Sequence, residues 1–236
     1  GNYELRKMSF GKGINFELAV GTTVSDKLSL ELVGFFHKSD EQEIKSSDNY
    51  KIVGAFDIRI YDTKYIRGYM YGVKPNIAYH FGKTRRPYYI KAGALIGIAN
   101  INEEGESNLY NTIPGYFPAE HVSYLAKYNN RLSLGFNMAL GHEIYMYDYV
   151  YFFWEINYSN SRYVPLTREL IEYRYEGDNQ IDQLTESEIH TEFVDSYSES
   201  ENQNHNVPTK KLKSAYSFGQ VAILFGLKIE LFSNND

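Results

Sequence analysis

The chain has 236 residues, a formal net charge of −6 and no cysteine. The lack of cysteine excludes a disulfide scaffold and a cysteine-based zinc site. The acidic balance argues against nucleic-acid binding, and no apolar stretch approaches the roughly 18 residues of a membrane helix. Aromatic residues make up 16% of the chain, which is too many for a disordered protein. Because the chain begins with Gly1 rather than Met, we interpret it as processed or trimmed.

Alternation of apolar and polar residues is the dominant pattern, and it places successive side chains on opposite faces of a strand. The alternating segments, in chain order, are residues 13–21, 27–37, 50–60, 71–81, 88–99, 131–141, 149–158 and 217–231. Their apolar face carries no charge, whereas the other face mixes small residues with charges of both signs. A water-soluble β sandwich is one interpretation of this pattern. The segment lengths favour membrane strands, which need about 9–11 residues, over soluble strands of about 5–6.

The connections between these segments divide into short and long ones, as an outer-membrane barrel requires. The short turns lie near residues 22–26, 82–87 and 145–148, and the long loops span about 38–65, 100–130 and 160–214. Aromatic residues flank two of the short turns and predict an interfacial belt. The belt residues are Tyr79, Phe81, Tyr88, Tyr89, Tyr145, Tyr147, Tyr149 and Tyr151.

The predicted segments do not by themselves give an even number of membrane strands. A closed barrel with an even number of strands needs a further strand before residues 13–21, which residues 2–9 or an upstream segment could provide. We place residues 50–60 in an extracellular hairpin paired with residues 65–72. Pro75 removes a ladder hydrogen bond from its strand and predicts a bulge there.

The acidic residues are concentrated in one predicted loop. Residues 172–201 contain ten acidic residues and one basic residue, Arg174, so this stretch carries the net negative charge of the chain. We interpret it as a solvated, mobile loop. The alternative is that its carboxylates bind Ca²⁺ or bridge lipopolysaccharide through divalent ions.

Four segments of the chain resemble small outer-membrane β-barrel proteins of Gram-negative bacteria. These segments are residues 9–36, 74–99, 132–165 and 217–232, which together cover roughly two-thirds of the chain. The resemblance rests on pattern rather than on catalytic motifs. It implies one domain, residues 1–236, folded as an all-β, closed, antiparallel up-and-down transmembrane β-barrel of eight strands with long extracellular loops. It also implies a location in the bacterial outer membrane.

In such a barrel the two faces of each strand have different surroundings. The predicted lipid-facing residues are Phe16, Leu18, Leu30, Leu32, Ile90, Ile96, Leu134, Phe136, Phe152, Trp154, Ile223 and Phe225. The predicted lumen charges are Glu17, Glu31, Lys91, Glu155, Lys228 and Glu230.

No motif in the chain predicts a catalytic, metal or cofactor site. The histidines are isolated and lack metal-ligand spacing. We therefore predict a non-enzymatic structural or interaction protein, with docking beside a larger outer-membrane complex as one form of that role. Its predicted partners are outer-membrane lipid, lipopolysaccharide and other outer-membrane proteins, and not nucleic acid. Two alternatives stay open: a narrow solute pore, and a lipid A-modifying enzyme that uses Ser123 near His121 or Ser187 near His190.

Overall fold

The computed structural model of the chain describes residues 9–52, 56–83, 86–111, 120–129 and 132–231. These residues fold mainly as β-strands, as the alternation predicts, with one short α-helix, α1 (Glu186–Ile189), and two 3-10 helices, Ile181–Gln183 and Glu199–Gln203. The strands are β1 (Gly13–Ser25), β2 (Leu28–Ser39), β3 (Gln42–Ile52), β4 (Phe56–Lys83), β5 (Arg86–Asn111), β6 (Glu120–Asn129), β7 (Ser133–Tyr147), β8 (Val150–Tyr163), β9 (Thr167–Tyr175), β10 (Asp178–Asn179), β11 (His190–Val194), β12 (Thr209–Leu212), β13 (Tyr216–Ser217) and β14 (Gln220–Ile229).

All the strands belong to one sheet, and this sheet branches at β5. Residues 88–97 of β5 pair with β7, whereas residues 100–109 pair with β6. The lower branch runs in the order β1-β2-β4-β5-β7-β8-β14, and the upper branch contains β3, β4, β5, β6, β9, β11 and β12. The long hairpin of β4 and β5, here called the trunk, is shared by both branches.

The prediction of a closed eight-stranded barrel is wrong, because the 14-stranded sheet is not closed. The lower branch contains seven strands, and its six antiparallel pairings make the terminal strands β1 and β14 run in the same direction. No ladder joins β1 to β14 within the described ranges. Residues 1–8, which include most of the segment considered as an eighth strand, lie outside the described residues. Alternation identifies strands, but it does not specify how many of them share one ring.

Much of what was predicted as long loops is strand. Residues 42–52, 100–111, 120–129 and 167–175 all pair in ladders of the upper branch. The hairpin predicted for residues 50–60 is also different, because β3 pairs with residues 56–66 of β4 and not with 65–72. The acidic stretch 172–201 likewise contains the end of β9, the strands β10 and β11, and α1.

Pro75 interrupts the trunk without shifting it. The pairs Val73–Ile96 and Asn76–Gly93 keep one register, and only the pairs opposite Lys74 and Pro75 are missing. The predicted bulge is therefore absent, since a bulge would insert an extra residue and change the register. A hollow of about 430 Å³ lies at this interruption on the outer face.

The two branches are filled differently. An apolar cluster lies where the upper branch meets the lower one, and its buried members are Phe10, Phe35, Ile66, Met70, Leu95, Ala99, Ile101, Tyr128, Tyr163 and Phe218. The enclosed face of the lower branch below this cluster is instead rich in buried charged and amide side chains. The lower branch is curled so strongly that Asn15 of β1 hydrogen-bonds to Gln220 of β14, with a nitrogen-to-oxygen distance of 3.0 Å.

Candidate functional site

The outer face of the lower branch is apolar and exposed. Ten of the twelve residues predicted to face lipid are exposed, from 37% at Ile96 to 79% at Leu18. The other two, Phe152 and Trp154, are half-buried on the same face. They pack against outer-face neighbours, because Phe152 stacks on Phe225 with ring centroids 6.3 Å apart. The structure therefore places the whole predicted set on one continuous surface.

A row of aromatic rings crosses this outer face near the short turns. Phe81 stacks between Tyr79 and Tyr88, and the ring of Tyr88 lies 4.3 Å from that of His142. His142 in turn meets Trp154 edge-on at 6.4 Å. The row corresponds to part of the predicted aromatic belt. Three residues of the predicted belt lie on the opposite face: Tyr89, described next, Tyr151, whose ring centroid lies 5.6 Å from the Lys228 amine, and its ladder partner Tyr145.

Tyr89 points into the enclosed face, where it joins a buried charge cluster. Its hydroxyl donates to the Oε2 atom of Glu155 at 2.9 Å, and the amine of Lys91 lies 2.5 Å from the same oxygen. The amide nitrogen of Asn157 donates to the second oxygen of Glu155 at 3.0 Å. Glu155 is fully buried, so these three partners replace the water that a carboxylate would otherwise require.

The remaining predicted lumen charges are also paired on the enclosed face. Glu17 accepts a hydrogen bond from Lys74, and Glu31 lies 3.7 Å from Lys91. Lys228 lies between Glu143 at 3.1 Å and Glu230 at 3.5 Å. The structure thus brings together all six predicted residues, with Lys74 and Glu143 as additional partners. Glu143 lies outside the predicted segment 131–141, although β7 continues to Tyr147.

The enclosed face is covered at the end nearest the upper branch. Phe10 is fully buried there, with its ring 5.2 Å from that of Phe218. Its backbone nitrogen donates to the carbonyl of Ser217, and its carbonyl lies 2.6 Å from a ring nitrogen of His37. The other ring nitrogen of His37 contacts Asn15 at 2.6 Å. No sequence motif marks Phe10, because it precedes the first strand.

The upper branch holds a second buried charge, Glu103. Its carboxylate accepts hydrogen bonds from Tyr124 at 2.9 Å and Tyr128 at 2.6 Å, and Arg168 lies 3.2 Å away. Burial alone would raise the pKa of Glu103, but the bond from Tyr128, the charge of Arg168 and the bond from Tyr124 together hold that pKa below its ordinary value. Burial and the adjacent carboxylate raise the pKa of Tyr128.

The candidate nucleophiles are arranged differently from the prediction. Ser187 contacts His205, with 3.3 Å between the hydroxyl oxygen and the Nδ1 atom, whereas His190 forms its contacts with Glu186 and Glu169. His121 bonds to Asn108 and not to Ser123. Within the described ranges, no group of three or more His, Cys, Asp or Glu residues is arranged to hold a metal ion.

Similarity to known proteins does not assign the chain to a family. No protein-family model, no curated protein and no solved structure matches the chain. In the parts of the chain that the structure describes, no helix has the length and apolar character needed to cross a membrane.

Proposed function

We propose that the chain is a non-enzymatic structural or interaction protein whose lower branch is embedded in the bacterial outer membrane. The observation that carries this proposal is the inverted distribution of side chains in the lower branch. Apolar residues such as Leu18, Ile77 and Phe225 are exposed, whereas Glu155 and Lys74 are buried. A protein folded in water buries apolar surface, and exposed patches of this extent mark a membrane or protein contact.

The dimensions of the exposed apolar surface support a membrane location. On β4 the outer-face row runs from Tyr71 to Phe81, which is about 33 Å along a strand at roughly 3.3 Å per residue. At the strand tilt of about 35–45° found in membrane sheets, this row spans about 25 Å, which is the height of the apolar band of outer-membrane barrels. The aromatic row near the short turns fits one membrane–water interface.

The unpaired strand edges favour an interaction role. Among the described residues, β1 and β14 have no ladder on their outer edges. Backbone groups at such edges cost several kcal/mol each in hydrocarbon, so they need protein to cover them. Docking beside a larger outer-membrane complex would supply this cover. The buried ion pairs and Phe10, which occupy the enclosed face, favour this role over conduction of solutes.

The single tryptophan provides a direct test of the membrane location. Trp154 lies on the outer face, and we expect it to contact lipid chains once the protein is reconstituted in vesicles. Lipids brominated on their acyl chains should then quench its fluorescence strongly. Absence of quenching in vesicles to which the protein is bound would contradict the membrane location.

A matched control places the reporter on the upper branch. The variant Trp154→Phe combined with Tyr65→Trp moves the tryptophan to the outer face of the upper branch, beside Glu104 and Glu106. We expect the same brominated lipids to leave this variant unquenched, while acrylamide in the water quenches it. Equal quenching by lipid in both proteins would show that the branches do not differ in their surroundings.

A further inference from the structure

The enclosed face of the upper branch carries cations from three different strands. Lys64 lies on β4, Arg168 on β9 and Lys211 on β12. The ladders place these residues on the same face: Lys64 and Tyr124 both pair with Gly105, and Lys211 pairs with Phe193. The ring of Phe193 stacks on that of Tyr128 at 6.0 Å, which links β12 to the face that carries Glu103.

The charges on this face do not balance. The cations Lys64, Arg168 and Lys211 face two acidic residues, Asp62 and Glu103. The carboxylate of Glu103 already accepts hydrogen bonds from Arg168, Tyr124 and Tyr128. Neither Lys64 nor Lys211 forms a side-chain hydrogen bond or an ion pair within the described part of the chain. Among the side chains that the structure describes on this face, positive charges outnumber negative ones by one, and the two amines are available to a ligand.

Two further contacts define the geometry of this face. The guanidinium of Arg168 lies over the rings of Tyr124 and Tyr128, at 5.6 and 5.9 Å from their centroids. These rings hold Arg168 in place. Burial, Arg168 and Lys64 all lower the pKa of Lys211, and only Glu103 opposes them. A bound anion would relieve this repulsion.

We infer that the enclosed face of the upper branch, between Lys64 and Lys211 and beside Arg168, binds a soluble oxyanion such as phosphate. Lysine amines bind phosphate oxygens as point charges, and the Arg168 side chain, which is 17% exposed, adds a third positive charge beside them. The trunk carries this site well beyond the apolar band, so the oxyanion comes from solution rather than from a lipid headgroup. This inference concerns the upper branch alone and does not depend on the membrane location of the lower branch.

The test is a titration of the full chain in zwitterionic detergent micelles with inorganic phosphate at constant ionic strength. We expect saturable changes in the backbone amide NMR signals of β9 and β12. Lys211→Met removes one charge-assisted hydrogen bond and should weaken phosphate binding about tenfold, whereas Lys211→Arg should retain it. Lys64→Met should weaken binding in the same direction.

A cation outside the site serves as the matched control. Lys213 lies two residues further along and pairs with Asp195 at 2.9 Å, so Lys213→Met should leave phosphate binding unchanged. The inference is overturned if phosphate produces no saturable change, or if Lys213→Met weakens binding as much as Lys211→Met. It is also overturned if phosphatidylglycerol added to the micelles, but not free phosphate, shifts the β12 signals.

Discussion

The two branches of the sheet share the trunk, but they enclose opposite kinds of side chain. The upper branch encloses an apolar cluster around Ile101 and exposes charged side chains such as Glu104, as a protein in water does. The lower branch encloses Glu155 and Lys91 and exposes residues such as Ile77 and Phe225. Because β4 and β5 pass through both branches, secondary structure does not account for the reversal, whereas the proposed membrane location of the lower branch does.

Buried charge has a different role in each branch. In the lower branch, ion pairs fill the enclosed face and take the place of an apolar core. In the upper branch, Glu103 is a single carboxylate among tyrosines beside an apolar cluster. We therefore expect substitutions of charged residues to be most damaging in the lower branch, and loss of apolar volume to be damaging in the upper branch.

The largest effect is expected from Lys91→Met in the lower branch. This variant leaves Glu155 buried without its cation, which costs about 3–5 kcal/mol of unfolding free energy for pairs of this kind. Urea unfolding in lipid vesicles measures it. In the exposed pair of Lys45 and Glu43, Lys45→Met should change stability little, and equal losses in the two variants would remove the distinction between buried and exposed pairs.

Loss of apolar volume in the upper branch should have the next largest effect. Ile101 is 1% exposed, so Ile101→Ala creates a cavity and should cost about 2–4 kcal/mol. The same unfolding experiment measures it. Ile171→Ala, at a residue that is 38% exposed, provides the control and should cost clearly less. A small effect at Ile101 would mean that the apolar cluster does not stabilise the upper branch.

Two residues of equal exposure sharpen the comparison of the outer surfaces. Ile77 in the lower branch and Leu212 in the upper branch are both 59% exposed. In the proposed bilayer, Ile77→Arg should cost about 2–3 kcal/mol, as arginine does near the midplane of membrane sheets. Leu212→Arg should be nearly neutral. If both variants unfold like the wild type in vesicles, the outer face of the lower branch does not meet lipid.

The smallest effect is a dependence on pH in the upper branch. The pKa of Glu103 is lower in the folded protein than in the unfolded chain, so its contribution to stability is present above about pH 4.3. That contribution is lost as the pH falls through the folded pKa. We expect acid to reduce the unfolding free energy of the wild type more than that of Glu103→Gln. The exposed neighbour Glu104, changed to Gln, should behave like the wild type.

The sequence predicts the faces of the lower strands well and the connections between strands poorly. The inward position of Glu155 and the outward position of Phe225 follow from the period of two residues in a strand, which needs no knowledge of neighbours. The same rule separates Tyr88 from Tyr89, although both were assigned to one aromatic belt. In the upper branch, β9 pairs with β6 through an irregularity between Leu125 and Ala126, which shifts the faces and weakens the alternation.

Pairing and closure depend on contacts that a single strand does not encode. The sheet branches at β5 because residues 100–109 pair with β6 and residues 88–97 pair with β7. Both ladders are antiparallel, so strand direction does not distinguish the two partners. Phe10 is likewise buried by residues distant in the chain, Ser217 and Phe218. For the same reason, the placement of Lys64 and Lys211 on one face could not be predicted from the sequence.

The length of the trunk sets the height of the upper branch above the lower branch. Its ladder runs from the pair Ile58–Asn111 to the pair Lys83–Arg86, and β4 alone, with 28 residues, is about 90 Å long at roughly 3.3 Å per residue. An insertion of one residue in each strand would turn every side chain beyond it to the opposite face. The height of the upper branch above the lower one can therefore change only in steps of two residues per strand, about 7 Å each.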